Sequence, residues 1–157
     1  MIVTLDGDGQ NNPADIAQVY AEYNRQKMAQ PDQKFMVAGQ RVGRQDTWVR
    51  KISSRIANKI RATVLQDGTR DTGCSLKLFT KEDYLSLPYF NHMHRFIPAL
   101  MSRHGVKVLH ADVSHRARTQ GVSKYGTMDR ALAGALDLFG VWWLLKREPA
   151  DIVISKE

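Results

Sequence analysis

An uninterrupted run, Met1–Leu5 (MIVTL), stops abruptly at the polar stretch DGDGQNNP, residues 6–13. No other feature narrows the fold as much. An apolar, β-branched segment without a charged break predicts a buried parallel strand, because a strand covered on both faces needs no alternation. Residues 6–13 are loop types throughout. The strand therefore delivers its C-terminal end into an acidic, glycine-rich loop. In open α/β sheets, ligands bind at that end of the strands.

The spacing then alternates between helical and extended periods. Asn12 and Pro13 suit the cap and first turn of a helix. Ile16, Val19, Tyr20 and Tyr23 fall at helical spacing over 14–28, and Pro31 ends the segment. Lys34–Ala38 (KFMVA) predicts a second strand. Val49, Ile52, Ile56, Ile60 and Val64 form one helical stripe over 47–65, broken at Asp67-Gly68. Leu76–Phe79 predicts a short strand, 81–86 and 91–103 predict helices with Gly105 as a cap, and 106–113 predicts a half-buried strand. Strands and helices in alternation are the signature of an α/β domain.

The last apolar stretch, Ala131–Leu145, contains Asp137 and is shorter than a membrane-spanning helix, which needs about twenty apolar residues. Trp142 and Trp143 followed by Lys146 and Arg147 suit a helix lying at the lipid headgroup level. A core helix packed on the sheet fits the pattern equally well.

Composition matters where it limits partners and compartment. Twenty-three Lys and Arg against sixteen Asp and Glu give a net charge of +7. That excess favours an anionic partner, whether nucleic acid, an anionic membrane or a phosphorylated ligand, although a solvated basic face gives the same balance. The single cysteine, Cys74, excludes an internal disulfide and a multi-cysteine zinc site, and it fits a small buried side chain in a reducing compartment. No signal peptide opens the sequence, so the expected location is cytoplasmic. Repeats and low-complexity tracts are absent, and 157 residues suffice for one domain with its own core.

Four constellations carry chemistry. Asp6 and Asp8, two residues apart with Gln10 beyond, can present oxygens to one hard divalent cation at a strand end. Such an ion would neutralise charge on a leaving diphosphate. The EF-hand alternative fails, because Asn11 and Ala17 stand where that loop needs Gly and Glu. Arg41, Arg44, Arg50, Lys51, Arg55, Lys59 and Arg61 form a basic run opposed only by Asp46. It could lie on anionic lipid, follow a nucleic-acid backbone or simply face water. Asp71, in RDTGCSLKLF, is either a catalytic base at the sheet edge or a turn-capping acid. Residues 115–126, HRARTQGVSKYG, place Arg116, Ser123 and Lys124 in a glycine-punctuated loop suited to phosphate, without P-loop spacing. His92 and His94 have no third ligand at clear spacing and fit surface or packing roles.

In order, DGDGQNNP, AGQR, WVRKISSRIAN, DTGCSLKLF, HRFIPAL and HRARTQGVSKYG resemble glycosyltransferase family 2. The similar branch holds the dolichol-phosphate mannosyltransferase-like and polyprenyl-phosphate glycosyltransferases. The resemblance implies a GT-A-like, Rossmann-like α/β fold of three α/β/α layers, here its C-terminal portion. It also implies inverting transfer of a hexose from a nucleotide sugar to a polyprenyl- or dolichyl-phosphate lipid. By that resemblance Asp6, Asp8 and Gln10 hold Mg²⁺ or Mn²⁺ and the donor diphosphate, with Arg41 near the phosphates. Arg50 and Ser54 face the acceptor headgroup, Arg116, Ser123 and Lys124 close over phosphate, and Asp71 sits at the transfer centre. A lipid monophosphate has a second pKa near 6 and is already a competent nucleophile at neutral pH. Asp71 then orients donor or acceptor; with a hydroxyl acceptor it would act as base.

The implied organisation is a partial catalytic domain over 1–128, an interfacial or packing helix over 129–147 and a tail over 148–157. The family opens with a V-x-P-x-Y-N-E-type segment that binds the nucleotide base and has no counterpart here. The isolated chain is therefore expected to bind a nucleotide sugar poorly. The expected setting is the cytoplasmic face of an anionic membrane, without nucleic acid, the oligomeric state being open. A non-catalytic basic module that binds membrane or nucleic acid is the alternative, as is an inactive truncated paralogue.

Overall fold

A computed structural model of the chain describes residues 1–42, 59–69, 71–114, 116 and 127–147, with side chains of the last segment described from 134. In chain order the elements are β1 (Ile2–Thr4), α1 (Asp15–Ala29), β2 (Phe35–Arg41), α2 (described over 59–65) and β3 (Lys77–Phe79). Then come α3 (Lys81–Leu85), a 3₁₀ turn (Met93–Arg95), α4 (Ile97–Arg103), β4 (Lys107–Val113) and α5 (Thr127–Lys146). The four strands form one mixed sheet in the order β1-β3-β2-β4. The class is mixed α/β, as the alternating periods predict.

The pairing corrects the reading of the first strand. β1 pairs with β3, and the two are antiparallel, with Ile2 opposite Phe79 and Thr4 opposite Lys77. Met1, Val3 and Leu5 are exposed, while Ile2 and Thr4 on the other face are half-buried. Alternate residues of a strand point to opposite faces. An apolar run therefore buries only the face that another element covers, and here the neighbours cover one. β2 and β4 are the parallel pair, in register from Phe35–Lys107 to Arg41–Val113.

β2 divides the core by the same alternation. Phe35 and Val37 join Val19 and Tyr23 of α1, Leu76, Leu78 and Val113 in one buried cluster. Met36 and Ala38 face the other way, into a cluster with Phe79, Phe96, Leu100 and Met101, and with Val141 of α5. α1 thus covers one face of the sheet while α4 and α5 cover the other. β2 also runs three residues beyond its expected end. That extension carries Arg41 to the edge of the sheet.

Candidate functional site

Strand direction decides what meets at this edge. β3 is antiparallel to both β1 and β2, and β4 is parallel to β2. So β1, β2 and β4 point one way. Their C-terminal ends gather residues 6–11, Arg41, Ser114 and Arg116 around 71–76, the segment that enters β3 from the same side.

The acidic loop is pinned from two directions. Asp8 Oδ1 accepts from Gln10 N at 3.1 Å, closing a tight turn. Ser75 then ties this loop to the second acidic segment: its Oγ accepts from Asp6 N at 3.0 Å and from Asn11 Nδ2 at 2.6 Å. Its carbonyl accepts from Thr4 Oγ1 at 2.6 Å. On the opposite side, Arg116 N donates to Gln10 O at 3.1 Å. Ser114 donates to Asp15 Oδ2 through N at 2.8 Å and Oγ at 2.7 Å.

Asp71 and Arg41 form a two-pronged ion pair, Nε–Oδ2 at 2.6 Å and Nη2–Oδ1 at 2.8 Å. Their side chains are 12% and 13% exposed, so the pair is largely sheltered from water. Sequence dictates part of this closeness. A Cβ at position 73 would stand 2.9 Å from Arg41 Nη2, so Gly73 leaves room for the guanidinium. At position 39 it would stand 2.9 Å from Cys74 Sγ and 3.0 Å from Leu76 O, so Gly39 lets the 74–76 segment close on β2.

Beneath the two acidic loops lies Lys77, buried on β3, its ammonium donating to Cys74 O. Burial lowers its pKa, against Cys74, Asp6 and Asp71, which favour the charged form. Burial also raises the Cys74 thiol, which stays protonated and takes the packing role expected of it. Partial desolvation lowers His94, with Arg95 and Lys77 acting in the same sense and Asp6 against. Upstream of Asp71, buried Arg61 pairs with Asp67, whose Oδ1 accepts from Thr69 N at 3.1 Å.

Of the residues singled out from sequence, Asp6, Asp8, Gln10, Arg41, Asp71 and Arg116 come to this one edge. Arg50, Ser54, Ser123 and Lys124 lie outside the described residues. Ser75, Asn11 and Lys77 were not anticipated. A lysine inside a strand otherwise apolar, SLKLF, is the one signal that could have found Lys77. Among the described residues no three His, Cys, Asp or Glu side chains gather as a metal cage. Two carboxylates on a tight turn suit a hard ion that keeps waters and takes further oxygens from a substrate, the habit of Mg²⁺.

Comparison with known proteins gives the chemistry a context. The chain is 34% identical over 151 residues to the dodecaprenyl-phosphate galacturonate synthase of Rhizobium johnstonii, covering 93% of this chain and 42% of that protein. It is 33% identical over 129 residues to the undecaprenyl-phosphate 4-deoxy-4-formamido-L-arabinose transferase of Enterobacter sp., covering 82% and 37%. A transferase of the same name from Edwardsiella ictaluri is 30% identical over the same coverage. The chain thus spans about two fifths of the length of these relatives. No family model matches it, and no solved structure matches it. Over most of its own length the chain is homologous to polyprenyl-phosphate glycosyltransferases of the glycosyltransferase family 2 type.

Proposed function

We propose that this chain is part of an inverting, metal-dependent glycosyltransferase that moves a hexose from a nucleotide sugar to a polyprenyl- or dolichyl-phosphate-type acceptor. The observation that carries the reading is the meeting of the Asp6–Asp8 loop with the Asp71–Arg41 pair at one sheet edge, joined through Ser75. The relatives are named for polyprenyl phosphates, which supports the acceptor class. Residues 1–128 are then part of a GT-A-like catalytic domain of three α/β/α layers. Helices on both faces of the sheet agree with that arrangement.

In this reading a phosphate oxygen of the acceptor attacks the anomeric carbon as the bond to the donor diphosphate breaks. The nucleoside diphosphate leaves with the electron pair, and the centre inverts. Asp6, Asp8 and Gln10 would hold Mg²⁺ or Mn²⁺, which neutralises charge on the departing diphosphate when bound. Asp71 orients rather than abstracts. Both its oxygens accept from Arg41, which fixes the carboxylate in place. A lipid phosphate needs no base, being largely dianionic at neutral pH. Arg116, with Ser123 and Lys124, would close over phosphate, and Arg50 and Ser54 would meet the acceptor headgroup. The work would take place at the cytoplasmic face of a membrane.

The test is thermal unfolding with Mn²⁺ and each common nucleoside diphosphate. A productive pair should stabilise the wild type by about 2.7 kcal/mol at a hundredfold excess over Kd. Asp8→Asn should remove that gain without changing stability in plain buffer. An equal gain in Asp8→Asn, or none even at ligand concentrations raised to offset the weak binding expected of this chain, refutes the reading.

A further inference from the structure

One face of the sheet changes character from level to level. Ile2, Phe79, Met36 and Val108 stand side by side across β1, β3, β2 and β4 and feed the cluster under α4 and α5. One step of two residues toward the C-terminal end of β2, the same face carries Thr4, Lys77, Ala38 and His110. Two residues further on, Gln40 stands level with Asp112. Side chains two apart on a strand share a face, as do residues directly opposite across a pair. An apolar core thus gives way to a polar row at the edge that holds Arg41.

Two groups in that row are buried and short of partners. Lys77 is 3% exposed, and among the described residues its ammonium, with three N–H groups, donates only to Cys74 O. Gln40 is 4% exposed, and its Nε2 has no hydrogen-bond partner among the described residues. The other buried donors left so, Nε of Arg61 and of Arg103, belong to helices, which makes Gln40 the one on the sheet. Burying an amide donor without an acceptor costs free energy, and a methionine of similar length would fill the space without that cost. An acceptor from outside the chain would give the amide its missing partner.

We propose that Gln40 is a specificity-determining residue for the sugar, its amide donating to an oxygen of the donor hexose, a hydroxyl or a carboxylate. The inference rests on the function proposed above and names one contact within that site. Position supports it. β1 ends in the Asp6–Asp8 loop and is separated from β2 by β3 alone, about 10 Å between strand axes. A hexose esterified to a diphosphate on that loop spans such a gap and reaches the C-terminal end of β2, the end where open α/β sheets bind ligands. Hexoses differ in the direction and identity of the oxygens around one ring. A fixed donor that needs one of those oxygens therefore tells them apart, because the wrong sugar leaves it unpaired.

The experiment titrates the intact chain with each common nucleoside diphosphate, and with its glucose, galactose, mannose and glucuronate esters, in the presence of Mn²⁺. Kd is read from the thermal shift at ligand concentrations raised to offset weak binding. Gln40→Met should weaken at least one ester by about tenfold, the loss of one buried hydrogen bond, and leave the diphosphate within about twofold. A loss with the glucuronate ester alone assigns the contact to a carboxylate, and a loss with a neutral ester assigns it to a hydroxyl. If that variant fails to fold, Gln40→Asn, which withdraws the amide by one carbon, makes the same comparison. Equal weakening of ester and diphosphate would give Gln40 a purely structural role and overturn the proposal. Unchanged binding of every ester would leave the amide to a buried water and overturn it too. No gain with any diphosphate in the wild type would sink the function proposed above, and this contact with it.

Discussion

Ser75 shows how much of this site hangs on one hydroxyl. A single oxygen accepts from Asp6 N and Asn11 Nδ2, and so fixes the first acidic loop against the segment that carries Asp71. Removing that oxygen leaves a backbone N–H and a side-chain amide without this partner. Ser75→Ala should therefore cost about 0.5–1.5 kcal/mol in urea unfolding. It should also weaken Mn²⁺ uptake, measured by the electron spin resonance of the free ion, because Asp6 loses its anchor. Ser75→Thr keeps the oxygen and should restore uptake. An alanine variant with an unchanged midpoint and unchanged uptake would show that the loops hold their places by other means.

At the scale of elements, α3 is short and depends on its cap. Thr80 Oγ1 accepts from Asp83 N at 3.1 Å and donates to Asp83 Oδ2 at 2.7 Å, a reciprocal cap. Lys34, just before β2, reaches Asp83 Oδ1 at 2.9 Å and fastens the helix to the sheet. Burial alone would raise the Asp83 carboxyl. The Thr80 hydroxyl, Lys34 and Lys27 together outweigh burial and hold it below its ordinary 3.8. A carboxyl depressed in the folded state binds its proton less readily than in the unfolded chain. Its contribution is therefore complete above pH 3.8 and is lost as pH falls through the lower, folded value. Acid unfolding of Asp83→Asn should accordingly be flatter than wild type below about pH 4. Identical acid limbs for the two proteins would refute the linkage.

At the scale of the molecule, β2 couples the two halves of the core. Phe35 and Val37 belong to the cluster under α1, and Met36 and Ala38 to the cluster under α4 and α5. Neither cluster can loosen while β2 stays in place for the other. Thermal unfolding followed by far-ultraviolet circular dichroism and by tryptophan fluorescence should thus give one coincident transition. Val19→Ala on one face and Leu100→Ala on the other should both lower that same transition, the leucine by about 2–5 kcal/mol. Separate transitions for the two probes would show that the faces unfold independently.

The sequence by itself determined the local elements and the chemistry of the loops. Pro31 ending the first helical stretch, the alternation over 106–113 and the DGD turn after MIVTL all act through neighbouring residues. α1, β4 and the acidic loop accordingly lie where their spacing places them. Long-range pairing decided the rest. Nothing in MIVTL states that its hydrogen-bonding neighbour is β3, 73 or more residues away and antiparallel, or that Val3 faces outward. Nor does RDTGCSLKLF say that Asp71 meets Arg41 or that Ser75 reaches Asn11. Hydrogen bonds and ion pairs between distant segments depend on strand order and direction. Those are settled only when whole faces are buried together, a property of the assembled sheet rather than of any local run.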